Sequence, residues 1–144
     1  MSRYADSSFL VSCYVLDAHT PAAKTYLSQT AAPLVFTALH ALEVRNALKL
    51  GVFRGLFTKT EALAAWANLE ADVRTARLSR VFVNWALAFR IAGRLSERHS
   101  EMIGTRSLDI LHVGIAMTLR ASEFVSFDMR QRSLAGTIKL RVAP

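Results

Sequence analysis

Cysteine is nearly absent: Cys13 is the one thiol in 144 residues. No internal disulfide can form, and a reducing cytoplasm is the expected setting. Placed in an apolar run, Cys13 reads as core filler rather than as a nucleophile. No apolar stretch approaches the roughly 18 residues of a membrane span, and the opening Met-Ser-Arg-Tyr-Ala-Asp has no signal-peptide core. His19, His40, His99 and His112 are scattered, so no Cys/His spacing supports zinc. His112 reads as a hydrogen-bonded core histidine. Prolines number 3 and glycines 6, and no repeat, low-complexity tract or linker interrupts a length that suits one domain. Acids are scarce too, 11 against 18 basic residues, which leaves a net charge of +7. Of those bases 14 are arginine, and 7 of the 14 fall between Arg74 and Arg106. Arginine forks suit phosphate, so the excess points to a polyanionic partner.

What is present is an alternation of strand and helix signals. Residues 3–6 read as a short strand, and Ser7-Ser8 as the cap of a buried helix over 9–16. Pro21 fits the first turn of a helix ending near Gln29. Residues 34–37 form a second strand, followed by a helix over 38–53. On that helix Leu39, Leu42, Asn46, Ala47, Leu50 and Phe53 share one stripe, expected to be buried. Gly51 and Gly55 bracket a loop, and Thr58-Lys-Thr-Glu61 has the form of a capping box. The helix it opens runs to about Arg74, with Leu63, Trp66, Ala67, Glu70 and Val73 at helical spacing and Trp66 in the core. A brief strand over 76–80 precedes a helix over 81–99 that places Phe82, Trp85, Phe89 and Ala92 inside. Arg90, Arg94 and Arg98 recur at i+4 spacing on its other side. After Gly104 comes a helix apolar almost all round over 108–119, then a strand over 124–127 ending at Asp128. A short helix closed by Gly136 and a last strand over 138–142 complete the chain. Such alternation predicts a single α/β domain spanning 1–144, with a central parallel sheet of about five strands flanked by helices.

Against this apolar background four acids stand out. Asp6 ends the first strand, Glu43 lies within the stripe of the long helix, Asp109 starts the apolar helix, and Asp128 ends a later strand. Each has a plain structural explanation. Asp6 and Asp128 could cap helices, Asp109 could favour the positive end of its helix with Ser107 as the cap, and Glu43 could reach solvent from the core edge. Asn46 lies one turn beyond Glu43 and could hold it. Taken together, the four could converge on the C-terminal edge of one sheet, where α/β folds place their sites. Clustered like charges need a counter-ion, and oxygen ligands call for a hard divalent cation, Mg²⁺ or Mn²⁺. An acidic metal pocket within a basic protein is what phosphodiester hydrolysis requires.

At this point the chain resembles the PIN-domain family, and more closely the VapC-type ribonuclease toxins of toxin–antitoxin pairs. The resemblance rests on Tyr4-Ala-Asp-Ser-Ser-Phe-Leu-Val11, Leu42-Glu-Val-Arg-Asn-Ala-Leu48, Arg106-Ser-Leu-Asp-Ile-Leu-His-Val113 and Phe124-Val-Ser-Phe-Asp-Met-Arg-Gln131, in the family's order. It implies a five-stranded parallel sheet and Mg²⁺- or Mn²⁺-dependent cleavage of RNA. It also implies a site of Asp6, Glu43, Asp109 and Asp128, with Ser7 and Ser107 at polar positions beside the acids. An RNA substrate, a cognate antitoxin protein and a homodimer are the partners it implies. Arg90, Arg94 and Arg98 match no fixed motif; an RNA-binding role for them comes from charge alone. The alternative from another class is a PIN fold that binds RNA or protein without cleaving. A phosphatase-like reading lacks its second acid beside Asp6.

Overall fold

Residues 2–144 are described in a computed structural model. Strands β1 (Arg3–Ala5), β2 (Leu34–Phe36), β3 (Leu78–Arg80), β4 (Glu123–Val125) and β5 (Arg141–Ala143) alternate with seven helices. These are α1 (Ser7–Tyr14), α2 (Thr20–Ser28), α3 (Ala38–Phe53), α4 (Lys59–Arg74), α5 (Trp85–Ile103), α6 (Ser107–Thr118) and α7 (Met129–Thr137). The strands make a five-stranded parallel sheet of order β3-β2-β1-β4-β5, as the alternation of elements predicts. Packing divides the chain into two units: residues up to Asp6 with Phe82–Pro144, and Ser7–Val81.

In the first unit β1 and β4 are buried along their whole length, and Tyr4 stacks on Phe124 at 6.0 Å. The first residues of three parallel strands fall in register, Arg3 beside Glu123 and Glu123 beside Arg141. A salt bridge of 3.1 Å joins Arg141 Nε to Glu123. Arg3, an odd residue for a buried strand, thus stands in register with an acid. Helix α6 is buried without interruption from Ile110 to Ala116, as its all-round apolar pattern demands.

Gly114 explains how α6 and α5 come together. A Cβ at that position would lie 2.9 Å from the carbonyl oxygen of Ala88 and 3.3 Å from Ala92 Cβ. The contact is therefore made by small residues, and the buried face of α5 is Ala88, Ala92 and Leu95. The expectation that Phe82 and Phe89 lie inside is overturned: Phe89 is 61% exposed and Phe82 wholly so, with Trp85 half-buried. Side chains that large cannot enter so close an approach. Helix α5 starts at Trp85, capped by Asn84 accepting from Leu87 N at 3.0 Å, and stops at the left-handed Gly104. Gly136 is not the stop expected of it. Helix α7 continues to Thr137, the left-handed turn falls on Lys139, and β5 is delayed to Arg141.

The second unit corrects two more helix faces in the same sense. On α3 the buried residues are His40, Val44, Leu48 and Gly51, whereas Leu42 and Phe53 are exposed. On α4 they are Ala62, Ala65 and Leu69, while Leu63 and Glu70 point outward. Trp66 is half-buried, with the Arg45 guanidinium 4.4 Å from its ring. The capping box at Thr58 and Glu61 forms as expected. A second one, unforeseen, opens α3: Thr37 N donates to His40 Nδ1 at 3.0 Å while Thr37 Oγ1 accepts from His40 N.

Cys13 and Tyr14 end α1 in a setting hostile to negative charge. Cys13 Sγ donates to the Phe9 carbonyl; burial, then Asp17 and Asp72, push the thiol up to about 12. Tyr14 donates to Asp72 at 2.8 Å, and burial with that bond pushes it above its ordinary value of 10. An unfolded thiol ionises near pH 9 while the folded one keeps its proton, so above pH 9 the folded state binds more protons. Stability should therefore fall as pH rises from 9 toward 12. Each such proton contributes at most about 1.4 kcal/mol per pH unit. Urea midpoints from pH 8 to 10.5 should fall less in Cys13→Ala than in wild type. Parallel curves would remove Cys13 from the effect.

Candidate active site at the ends of β1 and β4

Asp6 is the first residue after β1. Its backbone N–H donates to the carbonyl of Val125, the last residue of β4, at 3.0 Å, which continues the parallel ladder one residue beyond β1. The residue is only 5% exposed, so its carboxylate sits where a charge needs compensation. The loop after β4 supplies the next acid. Asp128 is the N-cap of α7, its Oδ1 accepting from Arg130 N and Gln131 N at 2.9 Å each. The capping reading of Asp128 is thus correct, and the acid is held at the C-terminal end of β4.

Asp109 lies in the first turn of α6 and is engaged on both carboxylate oxygens. Arg106 Nε donates to Oδ2 at 2.8 Å, from a guanidinium that is 77% exposed. Gln131 Nε2 donates to Oδ1 at 3.2 Å and makes a longer bond of 3.4 Å to the Asp109 carbonyl. Gln131 is fully buried and accepts at 2.8 Å from the hydroxyl of Ser126, the residue after β4. Asp109 is therefore two hydrogen bonds from the end of that strand. Ser107 is the first residue of α6 and Arg106 the residue before it, so Ser107 is not the cap it was expected to be. Behind the acid, His112 Nδ1 lies 2.7 Å from the buried Tyr4 hydroxyl, which bears out its reading as a core histidine.

Glu43 belongs to the second unit. It is half-buried on α3, and Ser7 Oγ donates to its Oε1 at 3.0 Å. Ser7 is buried at the start of α1, whereas Asn46, the expected holder of Glu43, is exposed. The geometry follows from the shifted face of α3: with Val44 and Leu48 inward, Glu43 flanks the buried stripe and Asn46 turns to solvent. Arg90, Arg94 and Arg98 are all exposed on α5, and so share one open basic face. Among the described residues no three Asp, Glu, His or Cys side chains are grouped closely enough to hold a metal ion. Reading the sequence missed Gln131 and Ser126. Their signal was the pattern Ser126-x-Asp128-x-x-Gln131 directly after a strand.

No protein-family profile matches the sequence, and no curated protein sequence does. Solved structures do match. VapBC2 from Rickettsia felis, bound to a DNA fragment from their promoter, aligns over 100% of this chain and 98% of that chain, with TM-score 0.67 and 14% identity. VapC20 from Mycobacterium tuberculosis, a sarcin-ricin loop cleaving toxin, aligns over 93% and 95%, with TM-score 0.67 and 20% identity. FitAcB from Neisseria gonorrhoeae aligns over 99% and 96%, with TM-score 0.62 and 11% identity. The fold is the one these VapC-type structures have.

Proposed function

We propose that the chain is a metal-dependent ribonuclease, the toxin of a toxin–antitoxin pair, acting as a single domain over 1–144. The observation that carries this reading is the placing of acids at the ends of two paired strands. Asp6 follows β1 and is tied to β4, Asp128 follows β4, and Asp109 is tethered to the same strand end through Gln131. Glu43 joins them on the strength of its sequence block, with Ser7 orienting its carboxylate. The likeness to VapC20, a sarcin-ricin loop cleaving toxin, supports the activity. VapBC2 and FitAcB support a cognate antitoxin as partner.

The donor set fits the cation. Every candidate ligand is a carboxylate oxygen, the preference of Mg²⁺ and Mn²⁺, and no thiolate or imidazole competes in the set. Asp6, Glu43 and Asp109 would hold it, and Asp128 would complete the set or hold a second ion. When bound, such an ion neutralises the scissile phosphate and makes water nucleophilic at neutral pH. The chain's own part is to orient the carboxylates, with Asp6 placed at the end of β1 by its backbone bond to Val125 and Asp128 fixed by two backbone N–H groups. No described helix is long and apolar enough to cross a membrane; a cytoplasmic setting and an RNA substrate belong to the proposal. A homodimer belongs to the same proposal. The alternative, a PIN fold that binds without cleaving, draws on one observation: Asp109 and Asp128 already have protein donors. Total RNA incubated with the purified protein in Mg²⁺ or chelator separates the two, since only a nuclease creates new ends that chelator suppresses.

Arg90, Arg94 and Arg98 would track the RNA backbone. Replacing all three with Gln should weaken RNA binding and flatten its salt dependence, by about 0.7 in log–log slope per lost phosphate contact. An unchanged slope would mean that these arginines only solvate α5.

A further inference from the structure

We infer that Gln131 positions Asp109, presenting its carboxylate through a hydrogen-bond chain of fixed polarity. The inference rests on the proposed membership of Asp109 in the metal site. Each bond in the chain has its direction set by chemistry. The Asp128 backbone N–H can only donate, and it donates to Ser126 Oγ at 3.0 Å. The Ser126 hydroxyl donates in turn to Gln131 Oε1 at 2.8 Å. With its oxygen so occupied, the amide must turn Nε2 toward Asp109, whose Oδ1 accepts at 3.2 Å. A glutamine three residues into a helix ordinarily bends back to accept the N–H of the capping residue. Here Ser126 accepts that bond, and the amide is released to reach Asp109 on another helix. Because Gln131 has no exposed surface, water cannot take over either half of its work. Its backbone N–H is fixed as well, donating to Asp128 Oδ1 at 2.9 Å. One side chain thus couples the Asp128 cap to the orientation of Asp109.

The roles of the two donors on Asp109 differ. Arg106 reaches Oδ2 with a side chain that is 77% exposed. Gln131 is enclosed, and its bond fixes Oδ1. Partners of this kind, one shell out from a metal, typically carry a 10–100-fold effect on metal affinity.

The test uses the full chain in four forms: wild type, Gln131→Met, Ser126→Ala and Asp109→Asn. Mn²⁺ binding is followed by electron paramagnetic resonance of the unbound ion, with no RNA present, and melting is followed in chelator. Gln131→Met keeps the length and bulk of the side chain but lacks the donor, and should lose about tenfold or more in Mn²⁺ affinity. Ser126→Ala removes the clamp on the amide and the acceptor of the Asp128 N–H but leaves the Gln131 donor in place, and should lose less. Core filling alone would move the melting temperature and leave Mn²⁺ affinity at the wild-type value in both variants, which overturns the inference. Should Gln131→Met fail to fold, Ser126→Ala decides by itself, equal affinity counting against a positioning role. Wild-type affinity in Asp109→Asn also overturns it, because Asp109 would then bind no metal. If the wild type itself binds no Mn²⁺, the metal-site reading falls, and the inference with it. That outcome is distinct from a wild type that binds and variants that match it.

Discussion

Asp6→Asn should reduce RNA cleavage at least about 100-fold, beyond what loss of an outer partner usually costs, while its melting temperature in chelator stays near wild type. The substitution is isosteric, and the backbone bond from residue 6 to Val125 does not involve the side chain. What changes is one buried negative oxygen, replaced by a neutral amide that a hard cation binds poorly. Sequencing the ends produced from total RNA, at equal protein and saturating Mg²⁺, gives the comparison. Unaltered cleavage would take Asp6 out of the site. A large fall in melting temperature would recast it as a structural charge.

The second large effect is on stability. Mn²⁺ at about 100 times its dissociation constant should stabilise the wild type by about 2.7 kcal/mol, or about 10 °C for a chain of this size. Asp109→Asn should gain much less. In chelator the two proteins should melt within a few degrees of each other. An acid cluster read from sequence alone suggests otherwise, since removing one like charge should relieve repulsion. The structure gives Asp109 its own cation, Arg106, so that relief is offset by a lost surface pair worth about 1 kcal/mol or less. Equal gains with Mn²⁺ in the two proteins would place the bound ion elsewhere.

The strands were legible because each is short and set between helix signals, and because α/β alternation admits few arrangements. Helix α6 was legible from its all-round apolar composition. Helices α3, α4 and α5 were legible as helices but not in rotational phase, for a shared reason. The buried faces of α4 and α5 rest largely on Ala62, Ala65, Ala88 and Ala92, and α3 buries Gly51 where a larger residue would meet Phe57. Large side chains such as Phe53, Leu63 and Phe89 remain outside, so ranking residues by hydrophobicity turns each helix the wrong way. The acids were visible as charges in apolar surroundings. Their supports were not, because Ser126 and Gln131 look like ordinary capping residues until α7 is placed against α6. His40 was hidden likewise, since a histidine in the Glu position of a capping box has no distinctive spacing.

The pairing of β1 with β4 has a consequence for synthesis. The bonds from Ser122 N and Ser122 Oγ to the Ser2 carbonyl span 120 residues of chain, and Arg3 finds its neighbour only at Glu123. A growing chain makes Asp6 well before the strand that anchors it, which follows some 120 residues later. Contacts so remote in sequence are slow to close. An enzyme proposed to cut RNA is thereby withheld from activity while the residues between β1 and β4 are being made. Fragments ending before Glu123 should carry Asp6, Glu43 and Asp109 and still lack the site.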